Sequence, residues 1–504
     1  MFVVKLNEER FEYDVHSIVK AFYPEENVRV LTPGTVERKR AQLSEEVRME
    51  IELKPEGAVI FVGKKRFDWS ASIKESVQES RSQTEAVEKS ENAMQSQKKL
   101  YKDSFKRFLY NTLSECTGKK LPWGNLTGIR PTKIAMGLLE EGRKDEEILA
   151  FMKQEHYVSE EKAELSLDIA RREKQLLSTI HYQDGYSLYI GIPFCPTTCL
   201  YCSFTSYPIC AYRDKVEAYI DCLIQEMEYV SEAYGNQVLD TVYIGGGTPT
   251  TLEAGQLRRL IGKLKELFEF STVKEFTVEA GRADSITAEK LAVLYEMGVT
   301  RISVNPQTMK QDTLKLIGRQ HTVEQVEEAF ALARQAGFWN INMDLILGLP
   351  EEDEADVAHT IERVRELAPD SLTIHSLAVK RASKLSRWIE ENGISTLKNT
   401  DETMRIAAEG ARALGMKPYY LYRQKNMSGN FENVGYAKEG CFGIYNILIM
   451  EEKQTIVACG AGTISKRVYP DGRIERCDNV KDVAQYIERI EEMIERKKEL
   501  YKDS

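Results

Sequence analysis

Leu188–Tyr189–Ile190–Gly191–Ile192–Pro193–Phe194–Cys195–Pro196–Thr197–Thr198–Cys199–Leu200–Tyr201–Cys202 is the stretch around which this chain is organised. Its first half is apolar, with β-branched and aromatic residues, and reads as a buried strand. Pro193 and Pro196 bar a regular ladder beyond it, which puts the cysteines on a loop. Three thiols at C-x3-C-x2-C spacing converge on one soft metal centre. Thiolates hold iron–sulfur clusters, usually four per cluster. Three of them on a four-iron cube leave one iron open to a small molecule. Two other readings stand beside this one: a zinc site, and three unrelated buried thiols. Zinc wants four ligands, often with His. Cys210 is a candidate fourth ligand, but no His lies nearby.

The chain has 504 residues, enough for two to four domains. Apolar residues make up 42%, as in soluble globular proteins. A net charge of −10 argues against a non-specific nucleic-acid binder. No apolar run approaches the ~20 residues that span a bilayer. Met1–Phe2–Val3–Val4–Lys5 turns polar too soon for a secretory signal. Nine cysteines, clustered once, fit a reducing cytoplasm.

Residues 1–65 read as a small α+β unit. Phe2–Leu6 is a strand and Asp14–Phe22 a helix. Val47–Leu53 and Ala58–Val62 flank the turn signal Lys54–Pro55–Glu56–Gly57. Residues 66–180 read as a linker and a helical region. The polar stretch 74–99 is the linker, with a solvated helix as its alternative. Leu121–Pro122–Trp123–Gly124 and Thr127–Lys133 interrupt the helices. Arg130 and Lys133 stand where an anion could bind, but a helix start with an early proline is the preferred reading.

From about 181 to 382, short apolar strands alternate with amphipathic helices. Strands begin near Leu188, Leu239, Glu275, Thr300, Trp339 and Ser371. Helices fall near 212–233, 254–268, 286–297, 322–336 and 353–367. Such alternation implies parallel strands joined by right-handed crossovers, here an open or partial βα barrel. Reactive groups in such barrels lie at the carboxyl ends of strands. The polar residues recur there. The cysteines follow the first strand and Gly245–Gly246–Gly247–Thr248 the second, where glycines let a ligand approach backbone amides and carbonyls. Glu279 marks the third, Ser303–Gln307 the fourth, Asp344 the fifth and His375–Ala378 the sixth. Each alone is more often structural; a shared rim is what makes them a site.

These motifs, with Gly318–Arg319–Gln320–His321 and Asp344–Leu345–Ile346–Leu347–Gly348–Leu349–Pro350, resemble the radical SAM superfamily. Within it they resemble the oxygen-independent coproporphyrinogen III oxidase (coproporphyrinogen dehydrogenase) group, over roughly residues 186–380. The additional amino-terminal residues are similar to its longer HemZ branch. The resemblance implies an α/β fold: a partial (βα)6 radical SAM barrel, an α+β amino-terminal domain, and a mainly helical carboxyl-terminal lid over 383–504. It implies that Cys195, Cys199 and Cys202 hold a 4Fe–4S cluster. It implies that S-adenosylmethionine binds the open iron and contacts Tyr189, Tyr201, Gly246, Gly247, Thr248, Glu279, Gln307, Arg319, Asp344 and Ala378. Arg319 suits a carboxylate, because a guanidinium pairs with one bidentately.

The implied reaction is reductive cleavage of S-adenosylmethionine to a 5′-deoxyadenosyl radical. That radical then initiates oxidative decarboxylation of two propionates of coproporphyrinogen III, giving protoporphyrinogen IX. The implied partners are a tetrapyrrole with propionate groups and a low-potential electron donor such as flavodoxin or ferredoxin, with no nucleic acid and no membrane span. Lys380, Arg381, Arg423 and Lys425 are candidate carboxylate anchors, the last two in the aromatic segment Tyr419–Asn426. Two positions depart from the family pattern: Gly191, where His is common, and Phe204, where the best-studied oxidases have Cys. Phe204 is similar to the chaperone-like members. Haem chaperones and other haem-acting radical proteins are therefore the alternative, and a simple iron–sulfur electron carrier is a distant one. Gly460–Ala461–Gly462 reads as a close turn, and Asp478–Glu499 as a terminal amphipathic helix with a packing role.

Overall fold

The computed structural model describes residues 1–34, 46–70, 86–380, 383–393, 396–424 and 431–501; for 86–97 the backbone alone is described. The chain divides into two compact units, Met1–Leu167 and Asp168–Ser504. The expected boundaries at 65 and 180 fall elsewhere, because strand pairing extends the first unit's sheet to Ser70.

In the first unit five strands form one sheet: β1 (Phe2–Leu6), β2 (Val28–Leu31), β3 (Val47–Lys54), β4 (Gly57–Val62) and β5 (Lys65–Ser70), in the order β2-β1-β3-β4-β5. Alternation is clear in β3, where Met49, Ile51 and Leu53 turn inward. Helix Glu12–Phe22 buries Val15, Ile18, Val19 and Phe22, one helical face, against that sheet. The stretch expected as a linker is corrected in part. Residues 71–85 lie outside the described residues, but Ala86–Thr117 is one helix. Its carboxyl-terminal half carries Phe105, Leu109 and Leu113, spaced four apart, into the same core. Once that stripe is docked, adding polar turns to the existing helix is far easier than nucleating a new one. At Gly124 φ is +52°, and a Cβ would lie 1.8 Å from the His156 carbonyl oxygen, so this turn requires glycine. Pro131 immediately precedes helix Thr132–Glu140, which is the helix start anticipated there.

The second unit is built on β6 (Gly185–Ile192), β9 (Val238–Gly246), β10 (Glu275–Gly281), β11 (Arg301–Val304), β12 (Ile341–Leu347) and β13 (Ser371–Ser376). These are the six expected strands, each parallel to its neighbour. Helices Val216–Tyr234, Ala254–Leu267, Ala288–Glu296, Val323–Gln335 and Glu354–Leu367 connect them. Thr287, Thr322 and Asp353 cap three of these by accepting from early amides. Two short strands, β7 (Phe194–Cys195) and β8 (Tyr207–Pro208), pair with each other at the cysteine loop.

The carboxyl-terminal region is mainly helical, but its strands complete the sheet. β14 (Lys417–Tyr422) and β15 (Asn433–Ala437) add antiparallel beside β13. On the other side β16 (Thr455–Cys459) lies parallel to β6, followed by antiparallel β17 (Ile464–Val468) and β18 (Ile474–Asp478). The full order is β14-β15-β13-β12-β11-β10-β9-β6-β16-β17-β18. The strand that leads into the cysteines is thus interior, not an edge.

The expected terminal helix over Asp478–Glu499 is corrected. Asp478 ends β18, and two helices follow, Val483–Glu488 and Ile490–Tyr501. They do more than pack. Glu226, fully buried, accepts from Lys497 Nζ at 2.5 Å, Asn479 Nδ2 at 2.7 Å, Tyr486 Oη at 2.5 Å and the Gly460 amide at 2.7 Å. The terminal helices are thereby bolted to the β16–β17 turn, where Gly460 and Gly462 adopt positive φ. Removing one member of a buried ion pair strands the other charge. Lys497→Met should therefore lower unfolding free energy by roughly 3–5 kcal/mol in denaturant titration. Adding Glu226→Gln in the same chain should recover part of that loss.

Candidate functional site

The carboxyl ends of the parallel strands open into one cavity of about 800 Å³. Cys195, Cys199, Cys202, Tyr189, Tyr201, Gly246, Gly247, Thr248, Glu279, Gln307, Arg319, Asp344 and Ala378 all line it. The sheet register accounts for this convergence. Ile192 pairs with Gly246, Glu279 with Ser303, and Asp344 with Thr373, so each strand presents its polar residue at a similar level. Lys380 also lines the cavity. Arg381 and Lys425 lie outside the described residues. Arg423 is buried but does not line the cavity; Tyr420, Tyr422 and Gln424, from β14 and just beyond it, do. Cys210 is exposed and away from the cavity lining.

The cysteine loop is fixed by backbone bonds. Leu200 N donates to Ile317 O at 2.9 Å, and Tyr207 N to Pro193 O at 2.8 Å. Thr248 Oγ1 lies 3.4 Å from Cys195 Sγ. Burial pushes the Cys195 thiol up to about 11, with the Thr248 contact pulling the other way. Among the described residues no three His, Cys, Asp or Glu side chains are grouped to hold a single metal ion. A tetrahedral zinc site requires four such donors around one point. A cube of four irons takes its thiolates at separate corners, and three cavity-facing thiols fit that donor pattern.

The glycine segment is tied to its neighbours through its amides. Gly247 N donates to Ile192 O and Thr248 N to Phe194 O, each at 2.7 Å. Gly246 N–H donates to the Glu279 carboxyl. These amides bond to the protein itself, and the glycines also serve close packing. At Gly247 a Cβ would lie 2.5 Å from Phe194 O, and at Gly246 φ is +111°. Gly191 has a similar cause. A Cβ there would lie 2.5 Å from Thr463 Cγ2, and Thr463 is held by its bond to Gly460 O at 2.7 Å. The β16–β17 turn therefore fills the space that a histidine at 191 would need.

Several buried polar atoms facing this region have no hydrogen-bond partner among the described residues: Ser303 Oγ, Asn305 Oδ1, Gln307 Oε1 and Arg319 Nε. Buried polar groups are normally satisfied. A concentration of unsatisfied ones in one cavity fits a polar ligand of mixed donor and acceptor character, as a sulfonium amino-acid nucleoside is. Gln307 also sits at φ +71°, unusual for a residue with a Cβ. Its backbone bridges β12, receiving Ile346 N and donating to Asp344 O, both at 2.9 Å. Arg319 donates to Asn305 O at 2.5 Å and Tyr201 Oη at 3.3 Å.

Some site residues were not foreseen. Tyr243 donates to Glu279 Oε1 at 2.5 Å and stacks on Tyr445, ring centroids 4.4 Å apart. Tyr189 joins the stack 5.9 Å from Tyr243. Asn342 donates to Asp344 Oδ1 at 2.7 Å, beside His375, which was expected on the rim and whose Nε2 lies 3.8 Å from Asp344 Oδ2. Arg282 sits behind Thr197. The inward positions of β9 and β12 carried the signal for Tyr243 and Asn342; Tyr445, on helix Ile444–Glu451, left none.

Residues 189–364 match the radical SAM superfamily. The chain is 41% identical over 404 residues to the oxygen-independent coproporphyrinogen-III oxidase-like protein HemZ of Bacillus subtilis, covering 79% of this chain and 81% of that protein. It is 40% identical over 195 residues to the B. subtilis heme chaperone HemW, covering 38% of this chain and 51% of that one. The solved structure of Escherichia coli coproporphyrinogen III oxidase, HemN, aligns with a TM-score of 0.49 at 23% identity, over 64% of this chain and 72% of that chain.

Glu279 yields a pH prediction. Burial lifts its carboxyl from the ordinary 4.5 to about 7; Tyr243 opposes the rise and Asp344 adds to it. The folded state then holds a proton that the unfolded state has released between about pH 4.5 and 7, so stability falls as pH rises through that window. Glu279→Gln should remove this slope in ligand-free protein. The variant's advantage over the parent should grow from pH 5 to pH 8, by on the order of 2 kcal/mol in thermal or denaturant unfolding.

Proposed function

This chain belongs to the radical SAM superfamily, whose cofactors are a 4Fe–4S cluster and S-adenosylmethionine, in the branch of coproporphyrinogen oxidase-like proteins; from that premise we propose that it oxidatively decarboxylates propionate side chains of coproporphyrinogen III. The observation that carries this reading is a single cavity in which three thiols and the unpartnered polar atoms share space with apolar walls and Lys380. Ile346, Leu377, Ile449 and Met450 supply those walls. A tetrapyrrole with several carboxylates needs both apolar surface and a few cations.

Cys195, Cys199 and Cys202 are read as the cluster ligands. Glu279 would accept from ribose hydroxyls, with Tyr243 and the Gly246 amide orienting it. Arg319, whose Nε has no partner among the described residues, would pair with the amino-acid carboxylate. Tyr189, Tyr201, Gly246, Gly247, Thr248, Gln307, Asp344 and Ala378 complete the proposed S-adenosylmethionine pocket. When bound, the cofactors supply one-electron chemistry that removes a hydrogen atom from an unactivated carbon. Each propionate then loses that hydrogen atom, one electron and carbon dioxide, and becomes a vinyl group. The protein's part is to hold the substrate carbon at the reactive end of the cavity and to exclude water. The tyrosine stack closes the floor around Glu279. Lys380 would fix a carboxylate at the rim, with an electron acceptor and a low-potential donor acting from outside.

A second reading is a haem chaperone. It is favoured by Phe204, which is exposed beside the cysteines, and by the chaperone HemW among the relatives.

Anaerobic protein loaded with iron and sulfide, then given S-adenosylmethionine, a reductant and coproporphyrinogen III, separates these readings. Vinyl product together with 5′-deoxyadenosine is the expected result. Deoxyadenosine with no vinyl product, and tight haem binding, overturns the oxidase in favour of the chaperone. Cys199→Ala should abolish deoxyadenosine formation. Lys380→Ala should raise KM for the porphyrinogen roughly 10–100-fold with kcat kept, the loss of a charge-assisted hydrogen bond.

A further inference from the structure

Arg282 follows β10 and is 3% exposed. Its guanidinium faces two ways. Nε and Nη2 grip Asp284 bidentately, at 2.9 Å to Oδ1 and 2.6 Å to Oδ2. Nη1 points instead into the cysteine loop. It donates to Thr197 Oγ1 at 2.7 Å and Thr197 O at 3.0 Å, and lies 3.9 Å from Cys199 Sγ. His321, 1% exposed, puts Nδ1 3.6 Å from Asp284 Oδ1 and backs the clamp. Thr197 in turn donates to Gly318 O at 2.9 Å.

A buried guanidinium needs a partner to offset its desolvation, and Asp284 meets that need on one edge. The other edge ties down Thr197, and the same grip holds Nη1 3.9 Å from Cys199 Sγ. Hydrogen bonds to cluster sulfurs, and positive charge near them, favour the more negative, reduced state. Arg282 is oriented from outside the loop, so its donor stays in place whichever state the loop's contents adopt.

We propose that Arg282 is a positioning residue for the iron–sulfur centre: locked by Asp284, it donates toward Cys199 Sγ and raises the reduction potential of the cluster held there. This rests on the reading of Cys195, Cys199 and Cys202 as cluster ligands. The step it tunes is the uptake of one electron from a one-electron reductant.

The test is a redox titration of anaerobically loaded protein with dithionite and dye mediators, followed by electron paramagnetic resonance, with iron and sulfide measured and neither S-adenosylmethionine nor porphyrinogen present. If the parent takes up no reducible four-iron cluster, the ligand reading itself is overturned, before any variant is compared. With a loaded parent, Arg282→Gln should lower the reduced-to-oxidised ratio at the parent's midpoint about tenfold, roughly 59 mV for a one-electron couple. An unchanged midpoint at full iron content overturns the role given to Arg282 and leaves the ligand reading intact. Should Arg282→Gln fail to load, Arg282→Gln with Asp284→Asn replaces the pair without changing net charge. A lowered midpoint in that double variant supports the proposal, and an unchanged one overturns it.

Discussion

The parallel pairing of β6 with β9 on one side and β16 on the other is the constraint on which the site depends. A strand followed by two prolines and three cysteines has little local means of staying in place. Here it is hydrogen-bonded from both sides, Ile190 to the levels of Ile244 and Cys459. Side chains reinforce the pairing from within: Thr241 Oγ1 donates to Ser187 Oγ, and Ser187 Oγ to Gln454 Oε1, at 2.8 and 2.6 Å. The cysteine loop therefore springs from a rigid base, and rigidity at the base is what positions soft ligands accurately.

The same economy runs through the cavity. Groups that contact the proposed cofactor positions are themselves held by partners outside them: Glu279 by Tyr243, Asp344 by Asn342, Arg319 by Asn305 and Arg282 by Asp284. Each of these partners comes from the same strand or from a neighbouring strand or loop, so the parallel register aligns both layers at once. Four buried polar atoms without a partner among the described residues, Ser303 Oγ, Asn305 Oδ1, Gln307 Oε1 and Arg319 Nε, belong to residues that line this cavity.

The barrel was legible in the sequence because its signals are local. Short continuous apolar strands and period-3.6 helices announce themselves within a dozen residues, and turn residues such as Gly318 and Gly348 punctuate them. The site residues were legible once that alternation was recognised, since the carboxyl end of each strand follows from it. What escaped the reading was long-range. Thr455–Cys459 is a short strand whose partner lies far earlier in the chain, and nothing in its own composition names β6. The helical half of 74–99 was misjudged because the stripe that anchors it, Phe105, Leu109 and Leu113, lies beyond the polar stretch. The glycines at 246 and 247 were read as letting a ligand approach the backbone; that their amides bond to the Glu279 carboxyl and to Ile192 O could not be seen from the local sequence. Gly191 became intelligible only when Thr463 was seen against it.

The place of β16 also governs how the protein comes into being. Ser187 and Gln454 are 267 positions apart, so during synthesis the flank of β6 facing away from β9 stays open until β16 has been made. An uncovered flank of that kind invites pairing with other chains, and closure over so long a loop is slow. Until β16 docks, the cysteine loop springs from a strand held on one flank alone, so the geometry of its thiols is completed late in folding.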